Sequence, residues 1–280
     1  MDWSGRALGA SRFIWTAVAR DGELLALEVG RDRAQVGDHL VELALADPAL
    51  VVGLDFGFSL PLWFLDRAGF EHGMAVPEAV AEGWLLECPA PFWGRCGRRR
   101  GPELQHRRTE LLVAPAAKSV FQVGGAGSVG TGSLRGWPLL RRLRAEGFAV
   151  WPFDDPRPPT AVEIFPRLLT GPVVKSRQAA RERYLRERRW PPEAAVSEDA
   201  FDAAVSALVM DRHRPLLAGL GPEPDHQTRR EGRIWDCSPS PPAGEGRGGG
   251  AEQPARCGTS PPWLHSPSPR GPQKPEGRWG

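Results

Sequence analysis

Leu50-Val51-Val52-Gly53-Leu54-Asp55 is a continuous apolar run that ends in a carboxylate. A strand that is apolar on both faces must be covered on both, which is the condition of a buried parallel strand. Upstream, Val36 to Ala46 places apolar residues at Val36, Leu40, Val41, Leu43 and Leu45, a helical spacing closed by Asp47-Pro48. Further upstream, Ser11 to Ala19 is apolar and β-branched or aromatic and reads as a strand, Asp21-Gly22 makes a hairpin turn, and Leu24 to Val29 returns. Downstream, the spacing predicts a helix from Leu134 to Glu146 capped by Ser133, and strands over Phe148–Phe153 and Thr160–Phe165. A charged helix over Lys175–Arg189 follows, then a last helix from Ser197 to about His213 with Ala203, Ala204, Ala207 and Leu208 on its apolar face. Strands alternating with helices define an α/β protein. Pro61 to Gln122, rich in Trp, Phe and Arg, reads as short helices and loops.

The composition sets outer limits. The chain has 280 residues, 41% of them hydrophobic and 25% charged, with a net charge of +2, as in a water-soluble domain and unlike a strongly basic nucleic-acid tail. No apolar run reaches the roughly 18 residues needed to span a bilayer. The opening Met1-Asp2-Trp3-Ser4-Gly5 carries no basic segment leading into an apolar one, so no secretory leader is expected. Cys88, Cys96, Cys237 and Cys257 form no Cys-x-x-Cys pair and have no His at finger spacing, which argues against zinc and a disulfide framework and for the cytoplasm. Much of the Pro and Gly lies after Leu220. There the apolar period is lost, and Ser238-Pro239-Ser240-Pro241-Pro242 leads into Gly248-Gly249-Gly250. The expectation is one domain over residues 1–220 and a disordered Pro/Gly-rich tail over 221–280, either dispensable or a ligand for a partner.

Four carboxylates stand out by position. Asp2 lies in the first strand, Asp55 ends the buried run, and Asp199 and Asp202 share one face of the last helix. Clustered like charges in a poorly solvated setting repel and are tolerated when a divalent cation neutralises them. Carboxylate oxygens are the ligands that Mg²⁺ prefers, and two such ions can serve phosphodiester cleavage. Each residue also has a plainer role open to it. Asp55 could bond the next loop, Asp199 could serve the helix dipole, and Glu163, between Val162 and Ile164, could sit in a buried ion pair.

The motifs Asp2-Trp3-Ser4-Gly5, Leu54-Asp55-Phe56-Gly57-Phe58-Ser59-Leu60-Pro61, Lys118-Ser119-Val120-Phe121-Gln122, Glu163-Ile164-Phe165-Pro166 and Asp199-Ala200-Phe201-Asp202-Ala203 resemble domain-of-unknown-function family 429. That bacterial and archaeal family is regarded as predicted nucleases of the RNase H-like superfamily. The resemblance spans residues 2 to about 215. It implies a mixed sheet of three antiparallel strands followed by parallel strands, flanked by helices. It also implies a metal-dependent nuclease with Mg²⁺ or Mn²⁺ held by Asp2, Asp55, Asp199 and Asp202. Glu163 matches a motif of the family and joins the catalytic set, although it falls on no usual metal position of the superfamily. The spacing Asp199-x-x-Asp202 is also similar to the closing motif of Holliday-junction resolvases. The first strand of that fold is central and normally carries several apolar residues before its aspartate; here only Met1 precedes it. The expectation is a short first strand, with Asp2 at a fraying end and weak activity.

Arg95, Arg98, Arg99, Arg100, Arg107 and Arg108 are interleaved with Phe92, Trp93 and His106. That mixture suits phosphate and base contact, and Arg98, Arg99, Arg107, Arg108 and Lys118 are the candidate nucleic-acid contacts. A solvated loop is the plainer alternative. Gly124 to Ser133 runs into a helix start whose amides could hold a phosphate, but no Gly-Lys-Ser/Thr makes it a P-loop, and a flexible connector is the alternative. Beside the nuclease stand a binding module that keeps the fold without turnover and a small-molecule phosphotransferase of the actin-like type.

Overall fold

The computed structural model describes residues 1–79, 89–94, 105–113, 117–125 and 127–237. The protein is α/β, with a two-stranded antiparallel hairpin and a parallel sheet flanked by helices. In the hairpin, β1 (Trp15–Arg20) runs against β2 (Glu23–Val29). Asp21 and Gly22 both take positive φ at the turn, 54° and 84°, as a tight two-residue hairpin demands. Helix α1 (Arg33–Ala46) opens with a reciprocal capping box between Asp32 and Gln35.

The apolar run forms β3 (Val51–Leu54), parallel to β5 (Thr160–Ile164), which is buried along its whole length. On the opposite edge of β5, β4 (Ala149–Val150) pairs at Thr160–Ala161 and β6 (Ile234–Trp235) at Glu163–Ile164, both parallel. The expected third antiparallel strand is reduced to one bridge, between Asp2 and Trp15. This short segment links the two sheets. The Asp2 amide donates to Trp15 O at 2.9 Å, and the Met1 ammonium donates to Gly53 O at 3.0 Å. Asp2 is therefore held from both sides, contrary to the expected fraying.

The helices that frame the sheet include α2 (Leu62–Ala68), α3 (Ala75–Ala79), α4 (Arg108–Val113), α5 (Val129–Ala145), α6 (Pro166–Thr170), α7 (Gln178–Arg188) and α8 (Glu198–Arg212). Among the described residues no helix is long and apolar enough to cross a membrane. Helix α5 begins five residues earlier than its expected start at Leu134. Ser133 lies inside it, where its hydroxyl donates to Val129 O and accepts from Gly57 N, both at 3.0 Å. The glycines explain the early start. A Cβ on Gly130 would come within 2.3 Å of Val120 O, so only a glycine lets this helix approach the 118–122 turn.

The expected boundary at residue 220 is incorrect. After α9 (Arg214–Ala218), α10 (His226–Glu231) and β6 lie beyond it, and the fold continues through Cys237. Glu223, Thr228, Glu231, Ile234 and Trp235 are all buried. The Glu231 carboxylate accepts the Leu62 and Arg108 amides, each at 2.6 Å, and so caps the beginnings of α2 and α4. The Ile234 amide donates to Thr109 Oγ1 at 2.9 Å. Residues 238–280 lie outside the described residues.

Candidate functional site

The parallel strands end on one side, where loops rather than ladders meet the solvent, and ligand sites of α/β folds collect there. Asp55 follows the last residue of β3. Phe56 and Phe58 then anchor the chain in the core, and Trp137 Nε1 of α5 fixes the turn by donating to Gly57 O at 2.9 Å. Asp2 arrives beside Asp55 through the bridge to Trp15. Helix α8 packs across β1 and β2 and brings Asp199 and Asp202 to the same place. Its start is fixed by Ser197, whose hydroxyl accepts from Ala200 N at 2.9 Å.

The four aspartates form one electrostatic cluster. Burial holds the Asp2 carboxyl well above the usual carboxylate range, and Asp55, Asp199 and Asp202 push it in the same direction. Asp55 is pushed up to about 7 by burial and then by Asp202, against the opposing pull of the Met1 ammonium and Lys175. Burial also raises Asp202, with Lys175 opposing, and raises Asp199, with Glu198 adding to the effect. Lys175 Nζ donates to Asp202 Oδ2. Asp202 Oδ1 is buried and has no hydrogen-bond partner among the described residues. Such an atom in a residue only 8% exposed is costly unless something positive reaches it.

Asp2, Asp55 and Asp199 line a cavity of about 1010 Å³, with Arg6, Lys118 and Arg135 on its walls. The start of α5 and the glycine-rich turn ahead of it form another side. Lys118 crosses this turn, for a Cβ on Gly127 would meet Lys118 Nζ at 3.0 Å. Lys118 is thus a cavity residue.

The other basic candidates divide. Arg107 is not a surface contact. It is 1% exposed, and its guanidinium bonds Glu110 on one side and Glu163 on the other. Two carboxylates offset the charge of this buried arginine, and its Nη1 also donates to Glu231 O at 3.2 Å. Arg108 is half-exposed and pairs with Asp225 at 2.8 Å. Arg98 and Arg99 lie outside the described residues, as do Arg95 and Arg100. Glu163 accepts from Arg107 Nη1 at 2.8 Å and from Phe58 N at 2.9 Å. Its oxygens brace the loop that follows Asp55, the ion-pair alternative stated for it above. Glu110 and Glu231 were missed as parts of this framework. The sequence offered no cue, because each reads as an ordinary exposed helix carboxylate.

Mg²⁺ and Mn²⁺, the ions implied by the resemblance, can be tested against these residues. The donors are all carboxylate oxygens, the set hard divalent ions take, and one of them is a buried oxygen with no partner among the described residues. In chemistry the site fits. In arrangement, no three His, Cys, Asp or Glu side chains among the described residues are grouped to hold an ion as they stand. Two ammonium groups, from Met1 and Lys175, offset part of the negative charge instead.

Comparison with family models, curated proteins and solved structures finds no match for this chain.

Proposed function

We propose that this protein is a divalent-metal-dependent nuclease that hydrolyses phosphodiester bonds at Asp2, Asp55, Asp199 and Asp202, within an RNase H-like fold. The observation that carries this reading is the carboxylate cluster itself. Four aspartates from three separate parts of the chain form one electrostatic cluster, three of them line a large cavity, and the fourth, Asp202, keeps a buried oxygen with no partner among the described residues. Proteins rarely gather such charge for stability alone. The motif order of family 429 supports the same reading.

Asp55 and Asp202 would hold Mg²⁺ or Mn²⁺, with Asp2 and Asp199 completing the oxygen set. When bound, such ions activate water and stabilise the leaving oxygen of an in-line displacement. Arg6, Lys118 and Arg135 line the same cavity and supply positive charge toward a phosphate backbone. The Glu163–Arg107–Glu110 framework holds the loop after Asp55, so Glu163 serves by positioning. A nucleic-acid substrate and a cytoplasmic setting go with this reading.

The Lys175–Asp202 pair favours a second reading, a nucleic-acid or protein binding module that keeps the fold without turnover. Incubating the full chain with end-labelled DNA and RNA, with and without Mn²⁺, separates the two. The nuclease reading expects cleavage only with metal, reduced at least about a hundredfold in Asp55→Asn and Asp202→Asn. Metal-independent retention of nucleic acid without cleavage supports the binding module and overturns the nuclease.

A further inference from the structure

Lys175 has no place in the motifs that suggested the site, yet the fold holds it there by dedicated contacts. It lies between α6 and α7 in a mostly surface-exposed segment, where the preceding Val174 is 51% exposed. A lysine in such a place normally extends into water, since fixing its long stem costs rotamer entropy. Here the side chain is only 19% exposed and its ammonium rests on Asp202. Its opposing pull on Asp55 and Asp199 shows that its charge reaches beyond that one partner.

The backbone of Lys175 is fixed as well. Arg181, on α7, is buried and donates through Nη1 to Lys175 O. Its Nε and Nη2 both donate to Ala195 O, at 3.0 and 2.8 Å. Ala195 closes the short 3-10 turn Pro192–Ala195, just ahead of the Ser197 cap of α8. One guanidinium thus ties the Lys175 carbonyl to the base of the helix that carries Asp199 and Asp202. A rigid planar fork fixes geometry in this way better than a single donor.

We propose that Lys175 is a built-in counter-cation, a positioning residue that offsets the charge of the carboxylates in the metal-free protein and that a divalent ion must displace from Asp202. The proposal rests on the nuclease reading of the cluster. An ammonium and a divalent ion cannot share the Asp202 oxygens closely, because like charges in a poorly screened site repel. The clamp holds the Lys175 backbone while its four-carbon stem stays free to swing. The ammonium can therefore leave for the cavity or for solvent as the ion enters. Lys175 consequently sets the metal affinity of the site and keeps the cluster intact between loadings.

The test is Mn²⁺ binding by the full chain, followed by electron paramagnetic resonance of the free ion at one fixed pH, for wild type, Lys175→Met, Lys175→Arg and Asp202→Asn. Far-ultraviolet circular dichroism establishes that each is folded, and Lys175→Gln replaces Lys175→Met if that variant is not. Removing the charge is expected to tighten Mn²⁺ about tenfold or more, which is about 1.4 kcal/mol. Lys175→Arg, which keeps a cation, is expected to stay near wild type, and Asp202→Asn to lose binding. If Lys175→Met binds no tighter than wild type while Asp202→Asn still abolishes binding, the counter-cation idea fails and the metal site stands. If no folded variant binds Mn²⁺, the metal site fails and the idea falls with it.

Discussion

Glu163 pairs with Leu54 in the register of the parallel sheet, one residue before Asp55, yet the two carboxylates carry opposite duties. The Asp55 carboxyl is pushed up to about 7, so between about pH 4 and 7 the folded chain binds protons that the unfolded chain has released. The contribution of Asp55 is full below the unfolded value near 4 and is lost as pH rises through the folded value. Without metal, the protein is therefore expected to lose stability from pH 5 to 8, by no more than about 1.4 kcal/mol per pH unit from this group. Urea melts at several pH values check this, and Asp55→Asn should flatten the slope; an equal slope in the variant would place the effect elsewhere. Glu163 is paired instead of repelled. Glu163→Gln leaves the buried Arg107 short of a charge and is expected to cost about 3 kcal/mol, seen as a lower urea midpoint. Asp202→Asn relieves the repulsion on Asp55 but takes the carboxylate from Lys175, so in the metal-free chain it is expected to cost less than Glu163→Gln in the same melts. A Glu163→Gln variant as stable as wild type would free Glu163 for a direct part in the chemistry.

At the scale of elements, strand β3, the hairpin and helix α8 were legible because each has a clear period or a long apolar run. Helix α8 also announced its start through Ser197. Residues 221–237 were not legible. A six-residue helix and a two-residue strand leave no period to detect, and Glu223 and Glu231 look like solvated charges until their partners are known. Arg107 misled for the same reason: a run of arginines reads as a surface, and only the fold shows Glu110 and Glu163 closing around one of them. Trp235, 2% exposed at the end of β6, tests how far this segment belongs to the core. Trp235→Ala is expected to lower stability by about 3 to 5 kcal/mol. Truncation after Leu220 should do more harm, because it also removes Glu231 from the starts of α2 and α4. Melting curves that match wild type for both would restore the domain boundary to residue 220.

Across the whole molecule, the chain gathers its acid cluster from places far apart in sequence. Asp2 enters by one bridge between the two sheets, Asp55 at the end of the buried strand, and Asp199 and Asp202 on the last long helix. The sequence alone marked all four, because a carboxylate at a strand end or inside a small-residue helix face is conspicuous. The balancing ammonium of Lys175 and the Arg181 clamp were hidden, since the charged segment 175–189 reads as solvated surface. The central claim is that this cluster is a divalent-ion site. Anomalous diffraction from crystals of the full chain soaked in Mn²⁺ tests it most directly. The expected result is an anomalous peak in contact with Asp55 and Asp202, with Lys175 Nζ moved off Asp202. Manganese bound elsewhere, or Lys175 still seated on Asp202 in soaked crystals with no peak at the cluster, would contradict it.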